Sequence, residues 1–127
     1  MDYYFNADDF GLRHSKTAAI DEAFCNGWIQ EASIVVNTDN FLEAVSLAEA
    51  HGYQDRINFH LNLSQGFPLT DDIRDTILCK ENGSFIMRKE RSILRHCMSS
   101  RAIKAIRKEC GGADSVLQEQ RIYVKSH

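Results

Sequence analysis

A chain of 127 residues suffices for one domain with a single hydrophobic core, and 43% apolar with 26% charged residues is the composition of an ordinary water-soluble protein. Acids outnumber the scattered Lys and Arg, giving a formal charge of -3, which argues against a nucleic-acid partner. No run of about 18 apolar residues exists to cross a membrane, and Met1-Asp2-Tyr3-Tyr4 opens on a strand-like run instead of a secretion signal, so a cytoplasmic protein is expected.

Tyr3 to Ala7 reads as a short aromatic strand ending in Asp8-Asp9. Ser15 is placed to cap a helix whose apolar residues Ala19, Ile20, Ala23 and Phe24 recur at helical spacing, and Asn26-Gly27 ends it. Ala32 to Val36 is a second, β-branched strand. A second helix begins after Asp39 or Asn40, carries Leu42, Val45, Leu47 and Ala48 inward, and stops at Gly52. Ile57 to Leu63 alternates apolar and polar residues as a third strand. This β-α-β-α-β order predicts a parallel sheet with right-handed crossovers, an α/β fold.

The second half is less regular. Gly66-Phe67-Pro68 breaks the chain, and Asn82-Gly83 within Ile77 to Met87 predicts a turn between two small strands. Ser92 to Glu109 has a helical pattern that Gly111-Gly112 is expected to interrupt. Ala113 to His127 shows no clear element beyond a short strand at Ile122 to Val124. The cysteines Cys25, Cys79, Cys97 and Cys110 form no CxxC pair and are expected to be reduced and structural.

Chemistry concentrates at the carboxyl ends of the first and third strands, where ligands collect in parallel α/β folds. Adjacent carboxylates repel unless a cation or shared proton neutralises them, so Asp8 and Asp9 either cap the following segment or form part of a cation site. Strand alternation turns such neighbours to opposite faces, a constraint that relaxes as the chain leaves the sheet. His60 and Asn62 share a face of the third strand. His60 is either a satisfied structural histidine or, with a carboxylate, part of a first shell for Zn²⁺ or a related ion. His14, His51 and His96 read as solvent-facing.

The run Asn6-Ala7-Asp8-Asp9-Phe10-Gly11-Leu12, then Ala19 to Ala23, Gly27, Ala32-Ser33 and Asn37, resembles the opening of the YdjC-like family. His60-Leu61-Asn62-Leu63 with Gly66 and Pro68-Leu69 resembles its next motif. The resemblance implies a YdjC-like distorted TIM barrel, present here as an incomplete or truncated (β/α) barrel with a parallel sheet. It also implies a metal-dependent carbohydrate deacetylase acting on N-acetylated oligosaccharides. By that likeness Asp8 is the general base, Asp9 and His60 bind a divalent metal, Mg²⁺ or Zn²⁺, and His127 stands in for a third, histidine ligand.

The departures are specific. The family is about twice as long, in keeping with the roughly 250 residues of a full barrel. Its later His-x-Asp-Ser-His-x-His-like segment is matched only by Tyr123-Val124-Lys125-Ser126-His127. Thr17 stands where the family often has Asn, and no general acid is evident. The expected organisation is therefore a partial deacetylase domain over 1–110 and a divergent tail over 111–127. An inactive member of the same fold that binds metal or a partner is the main alternative, with a homodimer covering the open barrel edge. A receiver-like signalling domain would need Asp at the end of the third strand, where His60 and Asn62 stand. The kinase-like Asp9-Phe10-Gly11 lacks every upstream kinase motif.

Overall fold

The computed structural model describes residues 3–86 and 99–120. It divides into two compact units, Met1–His60 with Val116–His127, and Leu61–Ser115.

In the first unit the elements are β1 (Asn6–Phe10), α1 (His14–Cys25), β2 (Glu31–Ile34), α2 (Phe41–His51), a 3₁₀ turn at Gln54–Arg56, and β3 (Ile57–Phe59). The strands form a parallel sheet in the order β1-β2-β3, as the alternating pattern predicts. Phe10, Ile34, Val35, Ala44, Ala48, Tyr53 and Ile57 are buried in its core. Phe24 and Tyr53 stack with centroids 4.0 Å apart, and the Arg56 guanidinium lies over the Phe24 ring.

The element ends differ from expectation for identifiable reasons. β1 does not span Tyr3 to Ala7 but starts at Asn6 and runs to Phe10, taking in one extra residue. Ala7 pairs with Ala32 and Phe10 with Ile34, so three steps on β1 oppose two on β2. β2 starts a residue earlier than expected and ends at Ile34. Ser15 does not cap α1: Arg13 holds the cap position without a side-chain bond, and the first turn is tied instead by His14 Nδ1, 2.6 Å from Glu43 Oε1. Asn40 does stand at the cap of α2, but its amide donates to the Glu43 carboxylate rather than satisfying the backbone. Gly52 ends α2 in the left-handed conformation, as read.

β3 is shorter than the pattern suggested. Its ladder closes with the His60 amide donating to the Ile34 carbonyl. Beyond it, the Asn62 Oδ1 accepts from the Ser64 and Gln65 amides, a local turn that displaces strand pairing. Strand alternation therefore does not reach Asn62.

The second unit holds α3 (Asp71–Arg74) and most of α4 (Ser100–Glu119). Ile73, Leu78, Phe85 and Ala105 form its core. The Asn82-Gly83 turn is present, with the Asn82 Oδ1 accepting from Ser84, yet among the described residues it joins a single bridge, Cys79 to Phe85, and not two strands.

Gly111-Gly112 does not break the helix; α4 continues to Glu119. A Cβ on Gly112 would lie 3.2 Å from Thr70 Cγ2, so the glycine lets the helix lie close against that residue. Beside it the buried Glu109 carboxylate accepts from the Leu69 amide, the Thr70 amide and the Thr70 hydroxyl, at 2.6, 2.9 and 2.7 Å. These contacts fix the turn of helix that the glycines would otherwise loosen.

No disulfide joins Cys25, Cys79 and Cys110, and no described helix is long and apolar enough to cross a membrane. His96, Cys97, His127 and the expected strand at Ile122 to Val124 lie outside the described residues.

Candidate active site at the carboxyl end of the sheet

Two consecutive strand residues normally face opposite sides. The extra residue in β1 changes that, because Asp9 takes φ 69° and bends the strand where it would otherwise alternate. Asp tolerates this left-handed conformation better than most side chains. Both carboxylates consequently approach one imidazole: His60 Nδ1 is 3.8 Å from Asp8 Oδ1, and His60 Nε2 is 3.6 Å from Asp9 Oδ1.

The cluster spans the whole sheet. Asp8 and Asp9 come from β1 and His60 follows β3, with β2 between them, so backbones about 9.6 Å apart are joined by side chains. Asn6 donates to Asp8 Oδ1 at 3.0 Å and to Ser33 Oγ at 3.1 Å, orienting Asp8 from both strands. Lys16, in the first turn and a half of α1, donates to Asp9 Oδ2.

The turn beneath is rigidly held. Gly11 has φ 81°, and a Cβ there would meet the Val35 carbonyl at 3.2 Å. Its amide donates to the buried Thr17 hydroxyl at 3.2 Å, and its carbonyl accepts from Thr38 at 2.6 Å. Thr17 thus has a clear role: it anchors the Asp9-to-Leu12 turn to α1.

Asp8 is mostly open, with a side chain 67% exposed, while Asp9 and His60 are 30% and 31% exposed. Asp9 and His60 therefore suit a held ligand, and Asp8 suits exchange of protons with a substrate. Ligand atoms on one tetrahedral zinc stand about 3.4 Å apart, given bonds of about 2.0–2.1 Å. The 3.6 Å separation of Asp9 Oδ1 from His60 Nε2 is close to that, so the donor set fits a divalent ion.

The sequence places these three residues at strand ends but carries no sign of Lys16 and Asn6 as their partners. Nor does it reveal a second donor cluster. Among the described residues, Asp21, Cys25 and His51 bring donor atoms within 4.8 Å of one another, a proximity that depends on how α1 packs beside α2.

A parallel α/β sheet with paired carboxylates and an imidazole at its carboxyl end defines the class of fold and site. Residues 4–111 match the model of the family described as YdjC-like protein, and the chain belongs to that family. A carbohydrate deacetylase of Danio rerio is 32% identical over 78 residues, covering 61% of this chain and 24% of that protein. Carbohydrate deacetylase 1 of Listeria innocua is 33% identical over 85 residues, covering 67% of this chain and 34% of that protein. The matched part thus spans only a quarter to a third of these relatives. A crystal structure of a candidate cellobiose-phosphate cleavage protein from Enterococcus faecalis V583 superposes with a TM-score of 0.78 at 22% identity. It covers 98% of this chain and 47% of that one, and the likeness supports the α/β, partial-barrel architecture.

Proposed function

We propose that this chain carries the metal-binding part of a carbohydrate N-deacetylase, with Asp9 and His60 as metal ligands and Asp8 as general base. The observation that carries the reading is the His60 ring, which turns one nitrogen towards each of two neighbouring carboxylates. Carbohydrate deacetylases among the relatives support an acetylated carbohydrate as substrate; within this proposal it is an N-acetylated oligosaccharide.

A divalent ion, Mg²⁺ or Zn²⁺, would supply Lewis acidity to the acetamide carbonyl and acidify a water molecule. Asp8 would accept a proton from the attacking water as its oxygen adds to the carbonyl carbon. Cleavage of the C–N bond, with that proton taken up by the departing nitrogen, would yield acetate and the free amino sugar. Asn6 donates to Asp8 Oδ1 at 3.0 Å, a contact that favours one orientation of the base before substrate arrives. Within the same proposal His127 is a third ligand, residues 1–110 are the deacetylase portion, and a second copy covers the open sheet edge.

The test is calorimetric binding of Zn²⁺ and Mg²⁺ to the chain and to Asp9→Asn and His60→Ala, alongside acetate release from chitooligosaccharides. The reading expects both substitutions to lower affinity at least tenfold, and Asp8→Asn to abolish acetate release while sparing metal binding. Unchanged affinity in Asp9→Asn and His60→Ala would overturn it. Metal binding without acetate release would favour the inactive, metal-binding member of the fold.

A further inference from the structure

The helix layer holds a second set of donors that the deacetylase reading leaves unused. Asp21 and Cys25 stand four residues apart on α1 and share a face. His51 is the last residue of α2. Its Nδ1 lies 2.7 Å from Asp21 Oδ1, and the exposed Cys25 thiol completes a group whose donor atoms all fall within 4.8 Å.

We propose that Asp21, Cys25 and His51 form a second metal site, of zinc type, at the end of the sheet opposite Asp8, Asp9 and His60.

Its position follows from the topology. Each helix runs back against its strand, so the C-terminal ends of α1 and α2 lie away from the strand ends that carry the first cluster. Cys25 and His51 are the final residues of those helices. Both helix termini present the negative end of the backbone dipole, which favours a cation.

The donor set selects the metal. Thiolate and imidazole prefer Zn²⁺ or Co²⁺ over Mg²⁺, and a carboxylate completes three protein ligands with a fourth position left for solvent. Ligands on tetrahedral zinc stand about 3.3–3.8 Å apart, so the His51–Asp21 hydrogen bond must open slightly on binding. Exposure of Cys25 and His51 leaves both side chains room to do so.

Asp21 is aimed from behind. The Tyr53 hydroxyl donates to Asp21 Oδ1 at 2.7 Å, and Tyr53 is 1% exposed and stacked on Phe24. Such a partner behind a metal ligand fixes its orientation.

Cobalt distinguishes this site from the first, which contains no sulfur. Co²⁺ titrated into the reduced, intact chain is expected to give a saturable near-ultraviolet thiolate-to-cobalt band that Zn²⁺ displaces. Cys25→Ser should abolish the band, His51→Ala should lower affinity at least tenfold, and Tyr53→Phe should lower it about 10–100-fold. Asp9→Asn and His60→Ala should leave the band intact, so this site stands or falls separately from the deacetylase reading. Absence of any band, or its persistence in a Cys25→Ser chain with unchanged circular dichroism, would overturn the proposal.

Discussion

Lys16 and His60 divide the Asp9 carboxylate between them: the lysine ammonium donates to Oδ2, while the imidazole faces Oδ1. A fixed positive charge thus sits beside the oxygen pair that a divalent ion would share. Lys16 is half exposed, so its effect on a neighbouring cation is that of a surface ion pair, about 0.2–1 kcal/mol. Lys16→Met keeps the alkyl stem and removes the charge. It should tighten Zn²⁺ binding up to about fivefold in low-salt calorimetry, and the gain should shrink as salt screens the pair. Weaker binding would instead make Lys16 a positioning residue for Asp9.

The turn that presents Asp9 depends on Gly11. At φ 81° a Cβ is strained, and the Val35 carbonyl at 3.2 Å and Ala44 Cβ at 3.4 Å leave little room for it. Gly11→Ala should cost about 2–3 kcal/mol in urea unfolding. It should also weaken metal binding, because displacing Gly11 disturbs its bonds to Thr17 and Thr38 and moves Asp9. Stability equal to that of the parent chain would mean that the turn relaxes without strain.

The parallel sheet was legible because β-branched runs alternate with helices at the spacing that crossovers require. Asp8, Asp9 and His60 were legible as residue types at strand ends. Their convergence was legible only through the likeness to the YdjC-like motifs; in the residues themselves it depends on a single extra residue in β1, and Asp9 carries no mark of its φ of 69°. The Gly111-Gly112 pair misled because glycine propensity is local, whereas the helix there is held by contacts some forty residues away in sequence. A signal was available: Ala102, Ala105, Glu109, Ala113 and Leu117 are buried at helical spacing straight across the glycines. Asp21, Cys25 and His51 were invisible as a group because no sequence spacing reports which helices lie side by side.

Glu109 is the polar member of that buried stripe, at 2% exposure. Its two oxygens accept from the Leu69 and Thr70 amides and the Thr70 hydroxyl, so its removal strands two backbone donors. Glu109→Ala should cost about 3 kcal/mol in urea unfolding. Glu109→Gln should rescue little, because one of its two terminal atoms becomes an NH₂ group facing donors. Full rescue by glutamine would show that the negative charge and second acceptor contribute nothing.

Tyr53 predicts a distinctive alkaline limb. Burial first, then the hydrogen bond to Asp21, pushes its phenol well above the ordinary value of 10.0. The folded chain therefore keeps a proton that the unfolded chain releases above pH 10. Stability linked to this group is fully present below that pH and is lost as pH rises beyond it, since the unfolded state then binds fewer protons. Comparing the intact chain with Tyr53→Phe isolates the effect, because every other titrating group is common to both. The intact chain should lose stability more steeply, by about 1.4 kcal/mol per pH unit once the unfolded phenol is ionised. Parallel limbs in urea unfolding between pH 9 and 11 would show that Tyr53 ionises in the folded state as readily as in the unfolded one.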